Sequence, residues 1–164
     1  MTLLEQLAQH LQRPVNEDVR TRARLHLLDW LACVAGARAS AIADPFRADN
    51  EQVSAALLGN LLEMDDVHRS ALLHPGPVIW PAVLWNEPMM EGAVVAAVRG
   101  YEAMIAVGSC FDSHHYAMYH PTATAGVFGA TGACASGNGD ATRTANALAL
   151  AGSVTGCLWQ TRHA

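Results

Sequence analysis

Residues 122–157 read TATAGVFGATGACASGNGDATRTANALALAGSVTGC. Two rows of small residues run through them at a spacing of four. The first is Ala125, Gly129, Ala133 and Gly137. The second is Ala141, Ala145, Ala149, Ser153 and Cys157. In an α-helix such a row stays on one face and drifts slowly around it. Small faces let helix backbones approach closely. The stretch therefore predicts two helices, at about 122–136 and 141–160, packed as a tight hairpin. Gly137-Asn138-Gly139 is the break and Asp140 the cap of the second helix.

The same period extends outward. Leu3, Leu4, Leu7 and Leu11 mark a short helix that stops before Pro14. Asn16 caps a second, with Glu17 and Asp18 at the positive end of its dipole. Its apolar stripe is Val19, Ala23, Leu27, Leu31 and Val34, and Gly36 suits the residue after its end. A loop with Pro45 covers 37–49, and a third helix covers about 51–64. A polar loop, DDVHRSALLHPGP, spans 65–77. A fourth helix opens near Pro77, where Pro81 is tolerable only in the first turn. The fifth runs from Met90 to Cys110, followed by a loop with Asp112, His114, His115 and His120. No run of period-two alternation stands out. The expectation is an all-α bundle of about seven helices, one domain over residues 1–164.

Composition bounds the function. Hydrophobic residues are 51% of the 164, charged residues only 15%, and the net charge is −5. Low hydrophobicity with high net charge marks disorder, and this chain has the reverse. So few charges cover a small globule poorly, so either the chain forms a homodimer or larger homo-oligomer or it was once covered by more protein. All ten basic residues are arginine. Without lysine there is no Schiff base and no P-loop cation. The acidic balance argues against nucleic acid and anionic membranes as partners. Cys33, Cys110, Cys134 and Cys157 form no CxxC pair and lie among apolar or small residues. This fits a reduced, cytoplasmic setting better than a disulfide framework. The N-terminus has the features of a helix, not of a signal peptide, and 144–161 reads as a buried helix, not a membrane span.

Three polar clusters interrupt the apolar chain. Glu63-Met64-Asp65-Asp66-Val67-His68-Arg69 places Glu63 and Asp66 on one face if the third helix persists. His74-Pro75-Gly76-Pro77 and Tyr119-His120-Pro121-Thr122-Ala123-Thr124 each put a histidine before a proline. Proline pushes its predecessor towards extended backbone, so both histidines sit where a loop enters a helix. Glu63, Asp66, His74 and His120 make a general acid–base set, because histidine titrates near neutral pH. Arg69 suits bidentate binding of a substrate carboxylate, with His68 beside it as the second substrate-binding candidate. Cys110, His114, His115 and His120, spaced C-x₃-H-H-x₄-H, match no common zinc pattern.

Taken together, the blocks LLEMDDVHRSALLHPGPVIWPAVLW, GAVVAAVRGYEAMIAVG, YHPTATAGVFGATGACAS and ALALAGSVTGCLW resemble consecutive blocks of the MmgE/PrpD family. RARLHLLDWLACVAGA is similar to its opening helices. The family contains 2-methylcitrate dehydratase, cis-aconitate decarboxylase and iminodisuccinate epimerase. The resemblance implies a helical core, paired in complete members with an α+β lid that this chain lacks. It implies acid–base chemistry on a small di- or tricarboxylate, with no metal or organic cofactor. Glu63, Asp66, His74 and His120 fall on the family's site positions. In the decarboxylase branch a threonine follows the acidic pair; here Val67 does, which weakens the decarboxylase reading. The expectation is a dehydratase-like lyase, with isomerase and decarboxylase ranked below it. The family's later lysines, which bind substrate carboxylates, have no counterpart here. The rival expectations are a non-catalytic helical module for oligomerisation or small-molecule binding, and a metal site built from the histidines and acids.

Overall fold

The computed structural model describes residues 1–87, 89–156 and 158–159. Eight α-helices lie among them: α1 (Leu3–Leu11), α2 (Glu17–Arg38), α3 (Glu51–Asn60), α4 (Gly76–Asn86), α5 (Met90–Gly108), α6 (Ser113–Met118), α7 (Pro121–Ala135) and α8 (Ala141–Val154). Two 3₁₀ segments, Ala41–Phe46 and Ser136–Asn138, join them. The fold is all-α, with no strand among the described residues. α6 is the helix that periodicity did not distinguish from loop.

Several starts follow local chemistry. Thr2 and Glu5 form a capping box, the Thr2 amide donating to Glu5 Oε2 at 2.6 Å and the Glu5 amide to Thr2 Oγ1 at 3.2 Å. Asn16, Asn50, Asp112 and Asp140 each accept the backbone N–H three residues on.

The centre of the fold is α7 against α5, which it meets more extensively than any other helix. A Cβ on Gly129 would lie 2.8 Å from both the Met104 Cβ and Ile79 Cδ1, and 3.2 Å from the Gly100 carbonyl oxygen. Likewise a Cβ on Gly100 would lie 2.9 Å from that of Ala133. The first small row thus seats α7 on α5, where the hairpin reading placed it against the last helix. In the second row Ala145 is buried, but Ala149 and Ser153 are exposed. The buried side of α8 is Thr144, Ala145, Leu148 and Ala151, facing α7 and α1. Gln12 of the α1 end donates to Thr144 Oγ1 at 3.3 Å.

Other boundaries also differ. α2 turns Ala23, Leu27, Trp30, Val34 and Ala37 inward, and leaves Val19 and Leu31 exposed. It passes through Gly36 to end at Arg38. Pro81 is the sixth residue of α4, beyond its first turn, and is buried there. Packing holds a helix that has lost one hydrogen bond. α3 stops at Asn60: the Glu63 amide bonds back to the Asn60 carbonyl at 2.9 Å, and Glu63 takes a left-handed φ of 53°. Glu63 and Asp66 therefore do not share a helix face. α8 ends at Val154, where Thr155 is extended and its hydroxyl donates to the Thr124 carbonyl at 2.7 Å. The predicted continuation to about 160 includes Cys157 and Gln160, which lie outside the described residues.

Candidate active site

Proline fixes where both motif histidines stand. His120 has φ −78° and ψ 113°, and precedes Pro121, the first residue of α7. His74 precedes Pro75, the cap of α4. One hydrogen bond joins the two turns across 48 residues: the His74 amide donates to Thr122 Oγ1 at 3.0 Å. Both histidines consequently line one open cleft of about 1090 Å³. Its walls include Asn60, Glu63, Val67, Tyr116, Thr122, Gly126, Thr131 and Trp159. The His120 ring lies 4.5 Å from the Trp159 ring, centroid to centroid. Trp159 is held in turn by donating to the Tyr116 carbonyl at 2.8 Å.

The His74 ring is held by a residue that the sequence reading passed over. Asp65, whose side chain is fully buried, places Oδ2 3.0 Å from His74 Nδ1. Its other oxygen accepts from Asn60 Nδ2 at 2.9 Å. An ionised carboxylate only accepts, so Nδ1 carries the proton. That leaves Nε2 of His74 as the nitrogen with a lone pair. Asn60 also comes within 3.3 Å of Nδ1, but its amide hydrogen serves the carboxylate. The burial of Asp65 follows from the end of α3 at Asn60, a boundary the apolar pattern of Leu57, Leu58, Leu61 and Leu62 conceals. Once the helix stops, adjacent residues 65 and 66 are free to point apart.

Asp66 is not among the cleft-lining residues. Its Oδ1 accepts the Gly76 amide at 2.8 Å, and its Oδ2 accepts the Tyr101 hydroxyl at 2.7 Å. His26 Nδ1 of α2 lies 2.8 Å from the same Oδ2. Burial alone would raise the Asp66 carboxyl, but hydrogen bonds from His26, Tyr101 and Gly76 outweigh it and hold the group below the usual carboxylate range. The bond to Asp66 lifts the His26 imidazole above its ordinary value despite partial desolvation. Burial, reinforced by the Asp66 charge, pushes the Tyr101 hydroxyl up, so it stays a donor.

Glu63 is exposed and lines the cleft with His74 and His120. Arg69 lies on an exposed turn and His68 receives the Ala71 amide on Nδ1 at 3.3 Å; neither lines the cleft. No arginine or lysine is among the described lining residues. Asp112 caps α6 and His115 stacks on Phe111 at 3.8 Å. Among the described residues no group of three or more His, Cys, Asp or Glu is placed to hold a metal.

An all-helical fold with two proline-set histidines in one cleft, one of them braced by a buried carboxylate, is the class of protein these features define. The family described as MmgE/PrpD N-terminal domain matches residues 52–164. The chain belongs to the MmgE/PrpD family. No curated protein and no solved structure matches it. No helix among the described residues is long and apolar enough to cross a membrane.

Proposed function

We propose that this chain carries the helical half of a cofactor-independent lyase site, dehydratase-like, acting on a small di- or tricarboxylate. The observation that supports it most is the Asp65–His74 pair in a cleft shared with His120 and Glu63. His74 Nε2 takes a proton from the carbon beside a substrate carboxylate. Asp65 stabilises the imidazolium that forms, as a buried carboxylate behind a histidine does. His120, on the same cleft, is the acid that protonates the leaving hydroxyl, and Glu63 orients the substrate or the acid. The cations that neutralise the substrate carboxylates come from outside the described cleft.

The proposal includes a homo-oligomer. Leu25, Leu28 and Leu31 are exposed on α2, Leu25 and Leu28 on the side away from its buried stripe and Leu31 at the margin of it. A helix apolar on both sides is one that is covered on both; a second copy of the chain is the occupant we propose.

The test is incubation of the purified chain with a panel of small di- and tricarboxylates in D₂O, followed by proton NMR. Dehydration, or exchange of the hydrogen beside a carboxylate, is expected. His74→Ala and His120→Ala should each abolish it. Variants that behave as the unaltered chain would reject the reading. So would a chain that neither turns over nor binds any member of the panel.

A further inference from the structure

The acidic pair has a second half that the cleft chemistry does not use. Asp66 reaches three elements with one carboxylate: Gly76 at the start of α4, Tyr101 of α5 and His26 of α2. Its side chain is only 11% exposed, so these bonds form in a poorly solvated place where each counts for more. Gly76 is two residues beyond His74 and is itself buried. A Cβ there would lie 2.8 Å from Asp66 Oδ1 and 3.4 Å from the Tyr101 oxygen. The close approach of carboxylate to backbone therefore requires glycine. A carboxylate at the first N–H of a helix also complements its dipole.

We propose that Asp66 and Tyr101 are positioning residues, which fix the direction of the His74 ring by gripping the peptide that follows it from outside the cleft. The proposal rests on the reading of His74 as a proton-transfer group, and deepens it. His74 is otherwise held by its own amide on Thr122 and by its ring on Asp65. Neither bond fixes the exit of the turn into α4; Asp66 does. Tyr101 fixes Asp66 in turn: its ring lies against Trp80, 6.3 Å between centroids, and its hydroxyl meets Oδ2. A displacement of about 1 Å in such a group can cost about 10²-fold in rate.

The test reads His74 directly, so it does not depend on turnover. The imidazole ¹H and ¹⁵N resonances of the 17.4 kDa chain are compared by NMR at one fixed pH, with His120 as the internal reference. The variants are Asp66→Asn, Tyr101→Phe and, as the control for the ring bond, Asp65→Asn. Circular dichroism checks each fold. Tyr101→Phe keeps the ring and removes only the hydroxyl. We expect Asp66→Asn and Tyr101→Phe each to displace the His74 ring resonances as the turn loosens and the 3.0 Å Nδ1–Asp65 bond weakens. His120 should not move, and Asp65→Asn should move His74 further. If His74 is unchanged in folded Asp66→Asn and Tyr101→Phe chains, the proposal is overturned. If Asp66→Asn does not fold, Tyr101→Phe decides; loss of fold in Tyr101→Phe as well would show that the hydroxyl serves the fold and not the turn. If Asp65→Asn leaves His74 unmoved, the ring is not held by that carboxylate and the proposal falls. A chain that shows the expected NMR response but no turnover would reject the lyase reading alone.

Discussion

Asp65 and Asp66 are consecutive in the chain, and each carboxylate holds a different histidine on a different side. Asp65 lies 3.0 Å from His74 Nδ1 at the cleft, and Asp66 lies 2.8 Å from His26 Nδ1 on α2. Non-helical backbone at 64–67 makes this divergence available. In a helix, neighbours would diverge less cleanly and the i, i+3 pair would align instead.

Removing Asp65 should harm both stability and chemistry. Asp65→Ala leaves Asn60 Nδ2 and His74 Nδ1 without their buried acceptor. A lost buried partner costs about 1–3 kcal/mol, measurable as a lower urea midpoint with an unchanged slope. Any turnover should fall by about 10²–10⁴-fold, the scale of general acid–base assistance.

The α5–α7 contact should resist any added volume. Gly129→Ala puts a methyl 2.8 Å from Met104 and Ile79 atoms. Overpacking costs about 1–3 kcal/mol, of which the better helix propensity of alanine returns about 1 kcal/mol. Thermal unfolding should therefore show a lower Tm. Gly137→Ala, where a Cβ meets nothing within 4 Å, should leave Tm nearly unchanged. Equal Tm values for the two would show that the close approach is not limiting.

His26 should make stability depend on pH in a stated direction. Its folded pKa is raised by the bond to Asp66, so the folded state binds the proton more tightly than the unfolded one. The contribution is fully present below the ordinary imidazole value of about 6.5 and is lost as pH rises through the higher folded value. His26→Ala should accordingly cost more stability at pH 5.5 than at pH 8.5 in paired urea titrations. The imidazole is 39% exposed, so solvent screening keeps the difference small. A larger cost at pH 8.5 would reverse the sign and reject the ion pair.

The exposed side of α2 gives the oligomer a direct test. Leu28→Glu, on a residue 64% exposed, should leave Tm of the isolated chain nearly unchanged and reduce the mass seen by light scattering. A monomer before and after the substitution would reject the second copy as the occupant.

Local sequence carried the helical class, the helix starts other than that of α6, and the family. Period, caps and the two His-Pro turns are local properties: Asn16, Asp140, Pro75 and Pro121 act on backbone within a few residues of themselves. His74, His120 and Glu63 were legible as cleft candidates because motif order and helix starts survive in one dimension. Other features required the packed chain. Small-residue spacing tells which face of α7 permits close approach, but not which helix takes it; the surrounding volume of Ile79, Met104 and Gly100 selects α5. The end of α3 depends on a left-handed residue, Glu63, that carries none of the usual glycine signal. From that end follows the burial of Asp65, and with it the partner of His74. Tyr101 and His26 lie 35 and 40 positions from Asp66 along the chain, so the three stand on three segments. Only tertiary structure makes them one hydrogen-bonded unit, because a carboxylate shielded from water binds whichever donors the fold brings within reach.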